Sequence, residues 1–145
     1  MRERGSGQAA GVTGRIAGIW LVLAALNGGI AVATGAYASH GLSDQRTIEL
    51  FRIAGQYQMW HALALAGVAS LARLGGETAG SPRLLAFAGW AFLAGIVLFC
   101  GALYLLALQG PSPLGAVAPV GGLSFMAGWA ALAAVGVRWT VRDRR

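Results

Sequence analysis

The amino-acid sequence predicts an all-α membrane protein with four transmembrane helices and an amphipathic interfacial helix between the first and second. Three observations predict it. The composition is 57% hydrophobic and 11% charged, whereas soluble domains carry roughly a quarter charged residues. The apolar residues form long runs, and about 20 of them suffice to cross a bilayer. The cations are all arginine and sit in short clusters beside those runs, which is how membrane topology is written. The net charge of +6 therefore reflects orientation in a membrane, and no nucleic-acid partner is expected.

Taken in order, residues 1–14 are polar and glycine-rich and read as a flexible tail. Residues 15–138 form the four-helix transmembrane domain, and residues 139–145 a basic C-terminal tail. Ile16 to Tyr37 is the first span and carries no charge. A cleaved signal peptide is the rival reading, with Ala36-Tyr37-Ala38 as its small-residue site. The run is longer than the roughly 7–15 apolar residues of a signal sequence, so the segment reads as retained. Asn27, near its middle, suits an interhelical hydrogen bond or, alternatively, a substrate contact.

Gly41 reads as the stop of the first helix. Ser43 reads as the cap of the next, with Asp44 in its first turn, where the helix dipole favours an anion. Arg46, Glu49 and Arg52 are spaced for ion pairs on one side, while Ile48, Phe51 and Gly55 step along the other. This is the interfacial helix, lying on the membrane or leading obliquely into it.

The second span is set by a length argument. Only Ala62 to Ala72 is purely apolar before Arg73, which is too short to cross. A span of about 20 residues must reach back to Gly55, and it draws Gln56, Tyr57, Gln58 and His61 below the headgroups. Tyr57, Gln58 and His61 share one arc of about 100° and should face protein or water. They are expected to pack on the end of the first span, near Tyr37 and His40. Small residues at Gly14/Gly18 and Ala62/Ala66/Ser70 permit close backbone approach at the other ends.

Leu84 to Leu108 is the third span, with Ala91/Gly95 as a packing pair; Tyr104 and Cys100 are its reactive side chains, and Cys100 reads as a buried packing residue. Gly110-Pro111-Ser112-Pro113 cannot continue a helix. Leu114 to Val137 is the fourth span; Pro119 falls early, where a missing N–H is tolerated. Gly121-Gly122 and Ser124/Gly128 leave room for a neighbour. Ala-Gly-Trp-Ala occurs at 88–91 and 127–130 and reads as glycine for packing followed by a flanking tryptophan. Four spans put the N-terminus, the 73–83 loop and the C-terminus on one side, with nine of the eleven arginines. The positive-inside rule then makes both termini cytoplasmic.

At Gly35-Ala36-Tyr37-Ala38-Ser39-His40-Gly41-Leu42 and Tyr57-Gln58-Met59-Trp60-His61-Ala62-Leu63-Ala64-Leu65 the chain resembles the YgdD-like family of small bacterial inner-membrane proteins, which has eukaryotic relatives and is classed as a domain of unknown function. Gly95 to Leu105 and Pro119-Val120-Gly121-Gly122 extend the likeness over residues 16–137. Ser39, Trp60 and Ala118 depart from its usual pattern. The resemblance implies a four-helix protein of the cell inner membrane and brings no established activity, cofactor or catalytic residue.

The candidate site is the polar set Tyr37, His40, Tyr57, Gln58 and His61. It is either a hydrogen-bonded cluster fixing the first helix pair, or a site where His40 and His61 together hold a haem iron, a quinone or a metal. No nucleophile-base-acid set, phosphate loop or zinc spacing is present in the sequence. The favoured reading is a non-enzymatic, multi-pass protein serving as a structural or accessory partner of other membrane machinery, its partners being the bilayer, other membrane proteins or further copies of itself. The alternatives are a haem- or quinone-associated redox component using His40 and His61, and an oligomeric small-solute channel.

Overall fold

In the computed structural model, residues 3–75, 82–110 and 113–142 are described, and all regular structure among them is helical. Helix α1 runs Glu3–His40, α2 Gln45–Gly75, α3 Pro82–Gly95, α4 Gly101–Gln109 and α5 Ala118–Arg142. A π-helical turn, Ile96–Cys100, joins α3 to α4. A 3-10 turn, Pro113–Ala116, precedes α5.

Helix α1 begins at Glu3, inside the stretch read as an irregular tail. Residues 3–14 contain no proline, and adding a turn to an existing helix is cheap compared with nucleating one. The helix ends at His40, where the Gly41 N–H closes on the Tyr37 carbonyl at 2.8 Å. A Cβ on Gly41 would meet the Tyr37 ring at 2.8 Å, so glycine lets that ring fold back over the helix end.

Asp44, rather than Ser43, caps α2. Its carboxylate accepts the Thr47 N–H at 2.8 Å and the Thr47 hydroxyl at 2.7 Å, satisfying one of the four orphan donors of a helix start. These two hydrogen bonds from Thr47 hold the Asp44 carboxyl below its ordinary pKa. From there α2 is unbroken to Gly75. The charged stretch and the polar span are therefore one helix, and the amphipathic segment forms its first turns instead of a separate interfacial element. Neither Gly55 nor any proline interrupts it, and Gly55 is in place to let α1 close in, with Thr34 Oγ1 3.3 Å from where its Cβ would stand.

Helix α2 lies antiparallel along α1, from Gly55 beside Ala31 and Thr34 to Arg73 beside Gly14. Its other side packs on α3, the π turn and α4, and α3 and the π turn pack in turn on α5. The core runs through Trp20, Ala54, Leu65, Val68, Ala88, Phe92, Ile96, Cys100 and Phe125. Gly121 is where α5 comes closest: its Cβ position falls on the backbone of Phe99 in the π turn. The Gly95 Cβ position runs into the Phe125 ring and that of Gly128 into the Phe92 ring, so the third and fourth apolar stretches interlock ring against glycine. Gly18 and Gly122 meet nothing within 4 Å and do not act as packing residues.

The outer surface is apolar. Val22, Leu63, Val97 and Leu123 are each more than half exposed, and among the described residues the buried polar side chains are Gln58 and His61 alone. Large apolar surface turned outward, with the few buried polar side chains kept inside, is stable in lipid and costly in water. Gly14–His40, Pro82–Gln109 and Ala118–Val141 are each long and apolar enough to cross a membrane. Helix α2 has the length but carries the polar residues.

Candidate functional site

Phe92, Ile96 and Cys100 are buried on one line of the third apolar stretch, and Tyr104 continues it. Steps of four residues drift by about 40° each on an ordinary α-helix. The π turn, in which the Gly101 N–H reaches the Ile96 carbonyl five residues back, widens one turn and takes up part of that drift. Tyr104 is thereby kept facing α1 and α2.

There it joins a chain of hydrogen bonds whose direction is fixed from its far end. The Leu23 carbonyl can only accept, so Asn27 gives it an Nδ2 hydrogen at 2.8 Å and turns Oδ1 toward α2. Gln58 Nε2 donates to that oxygen at 3.0 Å, which leaves Gln58 Oε1 to accept the Tyr104 hydroxyl proton at 2.8 Å. Tyr104 has no second proton, so Thr34 donates to it at 2.9 Å, with the Ala31 carbonyl at 3.1 Å as the Thr34 hydroxyl's other acceptor. The chain starts and ends on α1 and passes through α4 and α2. Each donor points the same way, which strengthens every link.

A second set surrounds His61. Trp129 Nε1 can only donate, and it reaches His61 Nε2 at 3.2 Å. Nε2 must therefore carry the lone pair and Nδ1 the proton. The Tyr57 carbonyl, 2.7 Å from Nδ1, accepts it. The ring is the neutral Nδ1–H tautomer, with both nitrogens engaged. It lies flat on Phe125, centroids 3.5 Å apart and planes within 10°. This set ties α2 to α5.

The five residues singled out from sequence do not form one cluster. Gln58 and His61 are buried and Tyr57 adjoins them, packed on Phe99 at 4.8 Å and Trp60 at 5.1 Å. Tyr37 is half-exposed at the end of α1, edge-on to Phe51 at 5.5 Å. His40 is the exposed last residue of that helix. Because α1 and α2 are antiparallel and His61 lies 16 residues into α2, the two histidines are roughly 20 Å apart along the bundle. They cannot flank one iron or share one metal, and His61 has no free lone pair to offer. Among the described residues no three His, Cys, Asp or Glu side chains converge.

Asn27 makes the interhelical bond expected of it. Thr34, Phe125 and Trp129 carry no polar or reactive role in the sequence reading, and Tyr104 stands there as a reactive side chain of the third span without a partner. Trp129 had one signal, since it stands in the second Ala-Gly-Trp-Ala. In both copies the glycine lies against an aromatic ring of another helix turn: Gly89 under Trp20 and Gly128 under Phe92.

The pattern of the proteins of unknown function grouped as DUF423 matches residues 34–122, a stretch that contains Thr34, Gln58, His61, Tyr104 and Gly121. The chain is 38% identical over 125 residues to the UPF0382 membrane protein YwdK of Bacillus subtilis, covering 83% of this chain and 98% of that one. It is 38% identical to a UPF0382 membrane protein of Staphylococcus epidermidis, over 79% of this chain and 91% of that one. A third, from Haemophilus influenzae, is 37% identical, over 79% and 90%. No solved structure matches the chain. With its apolar helices and outward-facing apolar surface, the chain is a multi-pass transmembrane protein, and it belongs to the DUF423 family of membrane proteins of unknown function.

Proposed function

We propose that this is a non-enzymatic four-span protein of the cell inner membrane, with both termini in the cytoplasm, that serves as a rigid structural or accessory partner of other membrane proteins. Within its family we place it with the YgdD-like proteins, on the two histidine motifs. The observation that carries the functional reading is that Gln58 and His61, the buried polar side chains among the described residues, have their hydrogen-bonding groups engaged inside the protein. Groups engaged in this way hold helices in register.

The four-span reading draws support from the placement of α2. It lies along α1, whose span is long and apolar, so it occupies the same depth. Its lower apolarity follows from Gln58 and His61 facing protein instead of lipid.

Purification in mild detergent, followed by absorption spectroscopy and native mass spectrometry, tests the proposal. The expected result is a colourless chain that co-elutes in fixed ratio with a second copy or another membrane protein. A Soret band lost in His61→Ala, or solute flux through the purified protein in liposomes, would replace it with the redox or the channel reading.

A further inference from the structure

A groove of about 380 Å³ runs between the end of α1 and the start of α2; Ala31, Gly35 and Ser39 of α1 and Glu49, Arg52 and Gln56 of α2 are among the residues that line it. The α1 wall is a line of small side chains at intervals of four residues, and a Cβ on Gly35 would meet nothing within 4 Å. The α2 wall sets Glu49, Arg52 and Gln56 beside Phe51, Ile53 and Gly55. Arg52 and Glu49 form a loose ion pair at 3.9 Å and are 69% and 59% exposed, so both charged groups remain accessible to a ligand. Gln56 is deeper, about 16 Å along α2 from its start. Its neighbour Gln58 is bonded to Asn27 and Tyr104. Gln56, by contrast, is exposed and has no protein partner among the described residues. An unpartnered amide at that depth is expensive against hydrocarbon.

We infer that this groove binds the headgroup of an amine-bearing zwitterionic phospholipid. A guanidinium and a carboxylate one helical turn apart match a phosphate and a primary ammonium, each with a charge-assisted hydrogen bond. The Gln56 amide faces the glycerol esters, where its N–H groups find carbonyl acceptors. The Ala31–Gly35 floor leaves room for the start of an acyl chain. The inference rests on α2 lying within the bilayer, which thiol labelling of its two ends reads independently.

The test is retention of lipid by the full chain, stripped in detergent and re-incubated with phosphatidylethanolamine, phosphatidylcholine or phosphatidylglycerol, read by native mass spectrometry. One tightly held phosphatidylethanolamine per chain is expected, with phosphatidylcholine and phosphatidylglycerol about tenfold weaker, the loss of one charge-assisted contact. Glu49→Gln and Arg52→Gln should weaken phosphatidylethanolamine by a similar factor. Gly35→Leu should fill the groove and abolish the site without lowering the melting temperature. Equal retention of the three lipids overturns the inference, and that comparison needs no variant. Undiminished binding in Gly35→Leu overturns it as well. Displacement by soluble phosphoethanolamine at equal concentration would assign the groove to a free amino-phosphate and overturn the lipid reading.

Discussion

Replacing Tyr104 with Phe removes one oxygen and one proton from the middle of the α1–α4–α2 hydrogen-bond chain while keeping the ring that packs on Phe51 at 5.0 Å. The two neighbours respond differently. Thr34 turns to the Ala31 carbonyl, already 3.1 Å away, and loses little. Gln58 Oε1 loses the donor that met it at 2.8 Å, and Gln58 is 4% exposed, so no water replaces it. An unsatisfied buried acceptor costs about 1–3 kcal/mol. Within membranes the unfolded reference also finds partners, and measured interhelical bonds average about 0.6 kcal/mol. A cost of about 1–2 kcal/mol follows for Tyr104→Phe, and about 0.5 kcal/mol for Thr34→Ala, which leaves the Tyr104–Gln58 bond intact. The assay is reversible unfolding in mixed micelles with a double-mutant cycle between Tyr104→Phe and Gln58→Leu. The double variant should be less destabilised than the sum of the singles, by about 1 kcal/mol. A coupling of zero, or a Thr34→Ala cost equal to that of Tyr104→Phe, would refute the directional chain.

Gly121→Ala places a methyl against the Phe99 backbone, which cannot swing aside as a side chain can. A loss of about 2–3 kcal/mol in thermal or detergent unfolding is expected, against less than about 0.5 kcal/mol for Gly122→Ala, whose Cβ meets nothing within 4 Å. His61→Ala strips the acceptor from Trp129 and the ring from Phe125. Trp129 fluorescence in a background lacking the other tryptophans should shift and the fold should weaken, whereas exposed His40→Ala should change neither. The Asp44 cap has a sign in pH. Its folded pKa lies below the ordinary 3.8 because Thr47 donates to it twice, so its contribution is full above about pH 4 and lost as pH falls through the folded value. Fraying of the α2 start, followed by hydrogen exchange at Thr47, should therefore rise at low pH in the parent and be pH-independent in Asp44→Asn.

Much of this architecture can be read from patterns with a physical cause. That Gln58 and His61 face protein is expected from the shortness of the run Ala62 to Ala72, and both are buried. The partner of Asn27 follows from the cost of an amide in hydrocarbon. Gly95, Gly121 and Gly128 sit at close approaches as their small size allows, but Gly18 and Gly122 meet nothing within 4 Å, so glycine in an apolar helix does not by itself mark a contact. Three things are not in the pattern. The pairing of Thr34 with Tyr104, 70 residues apart, and of His61 with Trp129, 68 apart, depends on how helices rotate against each other. The π turn shifts Tyr104 onto the inner face by a fraction of a residue, below the resolution of any periodicity. The supposed partnership of His40 with His61 fails on distance alone: two residues near the same loop in sequence terms are held apart by the 1.5 Å rise of an antiparallel helix.

The passage of α2 through the bilayer is tested most directly by thiol accessibility on either side of it. In a Cys100→Ala background, single cysteines at Ser43 and at Thr78 flank the helix, and a membrane-impermeant maleimide is added to intact cells. Labelling at Ser43 from outside, with Thr78 reacting only after the membrane is opened, is the result predicted. Labelling of both positions from the same side would contradict it and leave Gln58 and His61 without the lipid burial on which their role depends.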